Sequence, residues 1–190
     1  MVGYVALVAA VGAERLAELA IAARNRRWAL ERGAVEAGAG HYPWIVALHV
    51  AFLAACPLEV WLLARPLVPA LAWTMGGALA AAMALRYWAI AALGRRWNTR
   101  ILVVPGEPAV VAGPYRFVRH PNYLAIVVEM VALPMIHTAW LTALTASALG
   151  ALLLRVRIRA EEAALAAHAD YARRLGDRPA LLPGTAGRPR

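Results

Sequence analysis

The chain has 190 residues, 62% of them hydrophobic, with 20 basic and 11 acidic side chains and a net charge of +9. So high an apolar share excludes an ordinary soluble domain and leaves room for about five membrane crossings at roughly 20 residues each. Every basic side chain is an arginine, and most of them flank or follow an apolar run, which points to membrane orientation and anionic lipid and away from nucleic acid, and the single Cys56 excludes an internal disulfide framework.

The first apolar run covers Val2 to Ala23. Arg24, Arg26 and Arg27 follow it instead of preceding it, so it reads as a retained helix and not as a cleaved signal peptide. Glu14 and Glu18 share one face of that helix, with Arg15 spaced to pair with Glu18. Residues 24–40 read as a polar loop. The second run covers Pro43 to Leu63, with His41 and Tyr42 at its entrance, His49 eight residues after His41 on nearly the same face, and Glu59 near its far end. Arg65, Pro66 and Pro69 make a short turn. The third run, Leu71 to Leu93, carries Arg86 and ends in the basic segment GRRWNTR.

Residues 105–124, PGEPAVVAGPYRFVRHPNYL, hold a dense set of Pro, Gly, Arg and His between apolar stretches. A fourth run begins near Tyr123, contains Glu129 and ends at a turn or kink marked by Leu133, Pro134 and His137. The fifth, Ala139 to Leu154, leads into RVRIRAEEAALAAHADYARRL, whose apolar positions recur at helical spacing. The tail from Gly176, rich in Pro and Gly, reads as irregular, and no internal repeat is visible. The expected architecture is an all-α polytopic membrane protein of about five transmembrane helices with a cytoplasmic C-terminal amphipathic helix. Arginines crowd the loops after the first and third runs and the C-terminal segment. The positive-inside rule then puts the N-terminus outside and the C-terminus in the cytoplasm of a multi-pass cell-membrane protein.

Ionisable groups inside a membrane are costly, and Glu14, Glu18, His41, His49, Glu59, Arg86 and Glu129 all raise the question of what compensates them. Either they pair with one another and fix helix packing, or Glu14, Glu18, His41 and His49 form a polar pocket near the cytoplasmic face. No ligand spacing typical of a metal site is present. In the central stretch Gly113, Pro114 and Tyr115 read as a tight turn that lets backbone approach a ligand. Arg119, His120 and Pro121 precede a helix whose first turn Asn122 is placed to cap, and an Arg beside a helix N-terminus suits a carboxylate or phosphate. Arg157 and Glu161, four residues apart, form either a surface ion pair or part of the same site.

GPYRFVRHPNYL resembles the cofactor motif of the isoprenylcysteine carboxyl methyltransferase family and its relatives among phospholipid methyltransferases. RIRAEEAAL, followed by Tyr171 and a Pro-containing tail, resembles the family's second motif, and the two lie in the family's order over roughly residues 70–185. The resemblance implies a polytopic enzyme using S-adenosylmethionine. It makes Glu107, Pro108, Ala109 and Val110 a strand-like cofactor contact through backbone, Tyr115 a cofactor-contacting side chain, and Gly113, Arg119, His120, Pro121 and Asn122 parts of the same cradle. It gives Glu161 the role of holding the cofactor and Arg157 that of orienting the acceptor. The family often has His-Thr-Leu-Val where this chain has Glu107-Pro108-Ala109-Val110.

The N-terminal pattern ERLAELAIAARNRRW, with RGAVEAGAGHYPWIVALH, resembles a bacterial branch similar to alkylpyrone or alkylresorcinol O-methyltransferases. The implied organisation is a single membrane methyltransferase domain, with residues 1–65 on the substrate side and 70–185 as the cofactor-binding core. Its partners would be membrane lipid and a lipophilic or prenyl acceptor, either a carboxylate or a pyrone or phenol hydroxyl. A hydroxyl would benefit from a general base, for which Glu14, Glu18, His41 and His49 are the candidates. Two other readings stay open on sequence: a nicotinamide-nucleotide-dependent membrane reductase of related architecture, and a non-enzymatic membrane scaffold or transporter.

Overall fold

The computed structural model describes residues 1–181, and the part of the Pro- and Gly-rich tail beyond residue 181 lies outside the described residues. Each of the five apolar runs becomes a helix: α1 (Val2–Leu30), α2 (Tyr42–Leu62), α3 (Pro69–Leu93), α4 (Pro121–Met135) and α5 (Trp140–His168), followed by a short α6 (Tyr171–Leu175). Proline opens α3 and α4 at their first position, where its fixed φ suits the helix and its missing N–H costs nothing. Gly94 closes α3 with a φ of 56°, a conformation any other residue adopts only with strain.

Among the described residues, three stretches are long and apolar enough to cross a membrane: Ala39–Leu62, Pro69–Arg96 and Trp140–His168. The other two runs differ from the expectation for separate reasons. Helix α4 is apolar but has 15 residues, about 22 Å of rise against a hydrocarbon core of about 30 Å. Helix α1 has 29 residues but carries Glu14, Arg15 and Glu18 in its middle. The amphipathic C-terminal segment is the continuation of α5 and not a separate helix.

Residues 24–40 are not a loop. Helix α1 runs on to Leu30 because its last turns dock: Asn25 donates from Nδ2 to the Trp97 carbonyl at 2.8 Å, and Ala29 is buried. After a turn, β1 (Val35–Ala37) pairs antiparallel with β2 (Ile101–Val103), Glu36 opposite Leu102. Among the described residues, this two-stranded sheet is the one departure from all-α architecture. The expected strand-like stretch, Glu107 to Val110, has no regular structure, because Pro105 and Pro108 cannot donate to a ladder.

Helix α3 packs along α4, α4 along α5, and α5 along α2. The apolar core, around Phe52, Cys56, Leu79, Leu133 and Ala146, lies between these helices and the first half of α1. The buried charges do pair. Arg86 of α3 meets Glu18 of α1 through two contacts, Nε–Oε1 at 2.6 Å and Nη2–Oε2 at 3.1 Å, and reaches Glu129 of α4 at 3.4 Å. Arg15 pairs with Glu18 at 2.7 Å, as its spacing predicts, and with Glu14 at 3.1 Å. At the opposite end Glu59 binds Arg65 and accepts the Leu141 and Thr142 amides, capping α5 from outside its own sequence.

Candidate functional site

Two cavities meet at one wall. The first, about 150 Å3, is the more polar of the two and lies between the 96–110 segment, the 3-10 turn Gly113–Arg116, the start of α4 and the end of α5. Glu107, Pro108, Ala109, Val110, Tyr115, Arg119, His120, Asn122, Arg157 and Glu161 all line it, so ten of the residues singled out from the sequence converge there. The second, about 250 Å3, is mainly apolar and lies between α1, α2, α4 and α5. Trp97, Asn98, Asn122, Tyr123 and Arg157 face both.

Tyr123 is the hinge of this wall. Arg157 Nε donates to its hydroxyl at 2.8 Å, and that hydroxyl donates in turn to Glu161. Arg157 and Glu161, expected as a direct pair or a joint site, therefore meet through a third side chain. Arg157 Nη2 donates to the Thr99 carbonyl at 2.7 Å, and the Thr99 hydroxyl bonds the Tyr42 hydroxyl at 3.0 Å. His120 stacks on Tyr123 with ring centroids 5.2 Å apart, and its Nε2 meets Glu162 at 3.0 Å, where Arg119 also pairs. Burial, with the Glu161 carboxylate next in importance, holds the Tyr115 phenol protonated well above its ordinary pKa; burial does the same for Tyr171 beside Glu162.

The loop carrying the Glu107–Val110 wall is held from the C-terminal side. Asp170 accepts the Ala109 amide at 2.8 Å and pairs with Arg173 and Arg174, and that amide bond above all lowers its carboxyl pKa to about 2. The Arg119 and His120 amides donate to the carbonyls of Pro179 and Ala180, and Arg178 donates to the Tyr115 carbonyl. Residues 178–180 thus strap the RHP segment from behind.

Several residues lie elsewhere than the sequence suggests. Gly113 and Pro121 support the polar cavity without lining it: a Cβ on Gly113 would come 2.8 Å from that of Ala92, and Pro121 is buried at the first position of α4. Asn122 is not the cap of α4. His120 occupies that position without a side-chain cap bond, and the Asn122 side chain faces the cavities. His49 and Glu18 line the apolar cavity, whereas Glu14 and His41 line neither. Glu18 is held by two arginines. His49 gives Nδ1 to the Ile45 carbonyl at 3.1 Å. Tyr123, Trp97, Asn98 and Thr99 were not legible as site residues; the WNTR run read only as a basic loop. Among the described residues no group of His, Cys, Asp and Glu is arranged to hold a metal ion.

Three buried polar atoms of residues on the polar cavity, Trp97 Nε1, Arg119 Nε and Asn122 Oδ1, have no partner among the described residues. Buried donors and acceptors are normally satisfied, and these three, enclosed just beneath the cavity surface, would need a side-chain shift to reach a ligand in it. The Glu161 carboxylate and the aromatic faces of Trp28 and Tyr115 suit one that is cationic and carries a ring.

Residues 74–167 match the model of the isoprenylcysteine carboxyl methyltransferase family. The chain is 40% identical over 161 residues to the uncharacterized protein YpbQ of Bacillus subtilis, covering 84% of this chain and 94% of that one. It is 30% identical over 161 residues to an uncharacterized protein of Haemophilus influenzae, covering 83% of this chain and 91% of that one. Such matches are longer than the stretch from residue 74 to the C-terminus, so both relatives share part of the N-terminal helices as well. The chain belongs to the isoprenylcysteine carboxyl methyltransferase family, a family of membrane methyltransferases.

Proposed function

We propose that this protein is an S-adenosylmethionine-dependent O-methyltransferase acting on a lipophilic acceptor at the membrane. The observation that carries the reading is the meeting of a polar cavity and an apolar one at Tyr123 and Arg157. A methyl donor and a lipid differ so much in polarity that no single cavity suits both, and transfer needs them in contact. S-adenosylmethionine supplies a methyl group already activated by its positive sulfur. What the chain must add is orientation and exclusion of water.

In this reading Glu161 and the backbone of residues 107–110 hold the donor, and Tyr115 covers it. Trp97, Arg119 and Asn122 complete its walls. Arg157 directs the acceptor oxygen: two of its nitrogens are fixed by Tyr123 and Thr99, which sets the plane in which the third is offered. The apolar walls keep the lipid tail in place. The chain crosses the membrane five times, with α1 and the short α4 spanning beside the three longer stretches, and the polar cavity opens to the cytoplasm. Residues 1–65 form one side of the acceptor cavity and residues 70–185 hold most of the donor, with Trp28 and Arg157 crossing that division.

Isothermal titration of the detergent-purified protein with S-adenosylmethionine tests the donor assignment. Micromolar binding that weakens at least tenfold in Glu161→Gln is expected, and no heat of binding in the wild type would sink the proposal. Methyl-labelled donor added to lipid extracts then identifies the acceptor oxygen by which product carries label.

A further inference from the structure

The loop that walls the polar cavity at residues 106–110 is tied down from two sides, and one tie comes from outside the motifs. The junction of α5 and α6 supplies the first: the Gly106 amide donates to the His168 carbonyl at 3.1 Å, and the Ala109 amide to Asp170 at 2.8 Å. Arg96, in the 3-10 turn Gly94–Arg96 that follows α3, supplies the second. Its Nη1 donates to the Pro108 carbonyl at 2.5 Å and lies 3.6 Å from Glu107 Oε2.

The Pro108 carbonyl and the Ala109 N–H belong to one planar peptide unit and point to opposite sides of it. Arg96 takes one pole and Asp170 the other, so the plane of that peptide is fixed. A peptide held by its N–H alone could pivot about that bond. Since the Glu107 amide is already given to Val104, the direction of this plane governs how the rest of the loop backbone faces the cavity.

The arm that reaches the loop starts from a fixed base. Gly94 and Trp97, on either side of the two arginines, both give their carbonyls to Asn25 Nδ2, at 3.4 and 2.8 Å, and the Trp97 amide returns to the Gly94 carbonyl at 3.1 Å. Arg96, Glu107 and Pro108 all line the polar cavity, and the Arg96 and Glu107 side chains are 36% and 41% exposed, so their contact lies at its mouth. Glu107 is also where the chain departs from the family's frequent His-Thr-Leu-Val, and the departure places a carboxylate beside this arginine.

We propose that Arg96 is a positioning residue for the methyl donor, fixing the Pro108–Ala109 peptide across the mouth of the polar cavity and so setting donor affinity through the loop. The proposal rests on the reading of this cavity as the donor site. The two contacts differ in weight. The Pro108 bond has a charged donor and is the stronger; the Glu107 pair is long and open to water and adds little.

The test has two readouts on the full chain in detergent. Hydrogen exchange of residues 104–111 without ligand reads the loop: Arg96→Ala should exchange there about tenfold faster, with α4 and α5 unchanged, and Glu107→Gln, which keeps the Pro108 bond, no more than about threefold faster. Titration with S-adenosylmethionine reads the consequence: Arg96→Ala should bind about tenfold more weakly. Because one nitrogen makes both contacts, Arg96→Lys should recover most of each loss, which a merely structural disturbance of the turn would not allow. Exchange unchanged in Arg96→Ala, donor affinity within twofold of the wild type despite a loosened loop, or a lysine variant no better than alanine would each overturn the proposal. Absence of donor binding in the wild type would remove the donor reading and the effect on affinity together, whereas binding that Arg96→Ala leaves intact removes the role of Arg96 alone.

Discussion

Tyr123→Phe isolates the wall between the cavities, because it removes one oxygen and almost no volume. That oxygen accepts from Arg157 Nε and donates to Glu161, so the substitution leaves a guanidinium N–H and a carboxylate oxygen short of a partner in a buried site. Hydrogen bonds to charged groups contribute about 1.5–3 kcal/mol each. At the lower figure for both, the loss is about 3 kcal/mol, or roughly 100-fold in kcat/KM. The loss should divide between the two substrates, since Glu161 faces the polar cavity and Arg157 faces both. Titration with S-adenosylmethionine should show weaker binding, and label transfer to extracted lipid should fall by more than the donor affinity does. Arg157→Lys, which keeps the charge but lacks Nε, should lose transfer while retaining donor affinity. If Tyr123→Phe, folded with an unchanged thermal midpoint, stays within twofold of the wild type in both measurements, the Tyr123 hydroxyl does not organise this site.

Glu59→Gln should lower stability by about 2–3 kcal/mol, read as a drop in thermal midpoint in detergent, because it removes the charge that binds Arg65 and caps α5; donor affinity should not change, as Glu59 lies at the opposite end of the bundle. Gly113→Ala should destabilise by about 1–3 kcal/mol and weaken donor binding: φ there is +58° and the new Cβ would meet that of Ala92 at 2.8 Å, displacing the turn that carries Tyr115. The Asp170 carboxyl, depressed to about 2 by the Ala109 amide and its two arginines, should steady the 107–110 loop fully above its ordinary value near 3.8 and lose that effect as pH falls through 2. Proteolysis of that loop by pepsin should therefore rise over this window in the wild type, and Asp170→Asn should be cut equally fast across it.

The helices were legible because their signals are local. Apolar runs depend only on neighbours in sequence, although Pro69, read as part of a turn, and Pro121, read as preceding a helix, prove to be the first residues of α3 and α4. The Arg15–Glu18 pair was legible for the same reason. Its extension to Arg86 and Glu129 was not, since these partners are 68 and 43 residues apart along the chain. The last turns of α1 looked like a loop because Arg24, Arg26 and Arg27 obscure the two residues that dock, Asn25 and Ala29. The ten cavity residues were found through motifs that fix residue types over short spans. Tyr123 lay within the motif, but its role depends on Glu161 and Arg157, 38 and 34 residues later, and only the packing of α4 on α5 brings them to one oxygen.

The segment from Gly94 to Val103 makes the two halves of the chain interdependent. Asn25 and Ala22 of α1 hold the backbone at Trp97 and the side chain of Asn98, Tyr42 of α2 holds Thr99, and Glu36 of β1 pairs with Arg100 at 2.6 Å. On its other side the same segment receives Arg157 at the Thr99 carbonyl. The N-terminal helices therefore do more than wall the apolar cavity, because they set the position of the Thr99 carbonyl that holds Arg157. An acceptor that spreads α1 from α2 pulls on Asn98 and Thr99, and through them on Arg157, whereas one that fits leaves the arginine aimed. Acceptor selection by such a wall should appear in the rate of transfer as well as in binding, and a lipid that binds well but spreads the helices should act as an inhibitor and not as a slow substrate.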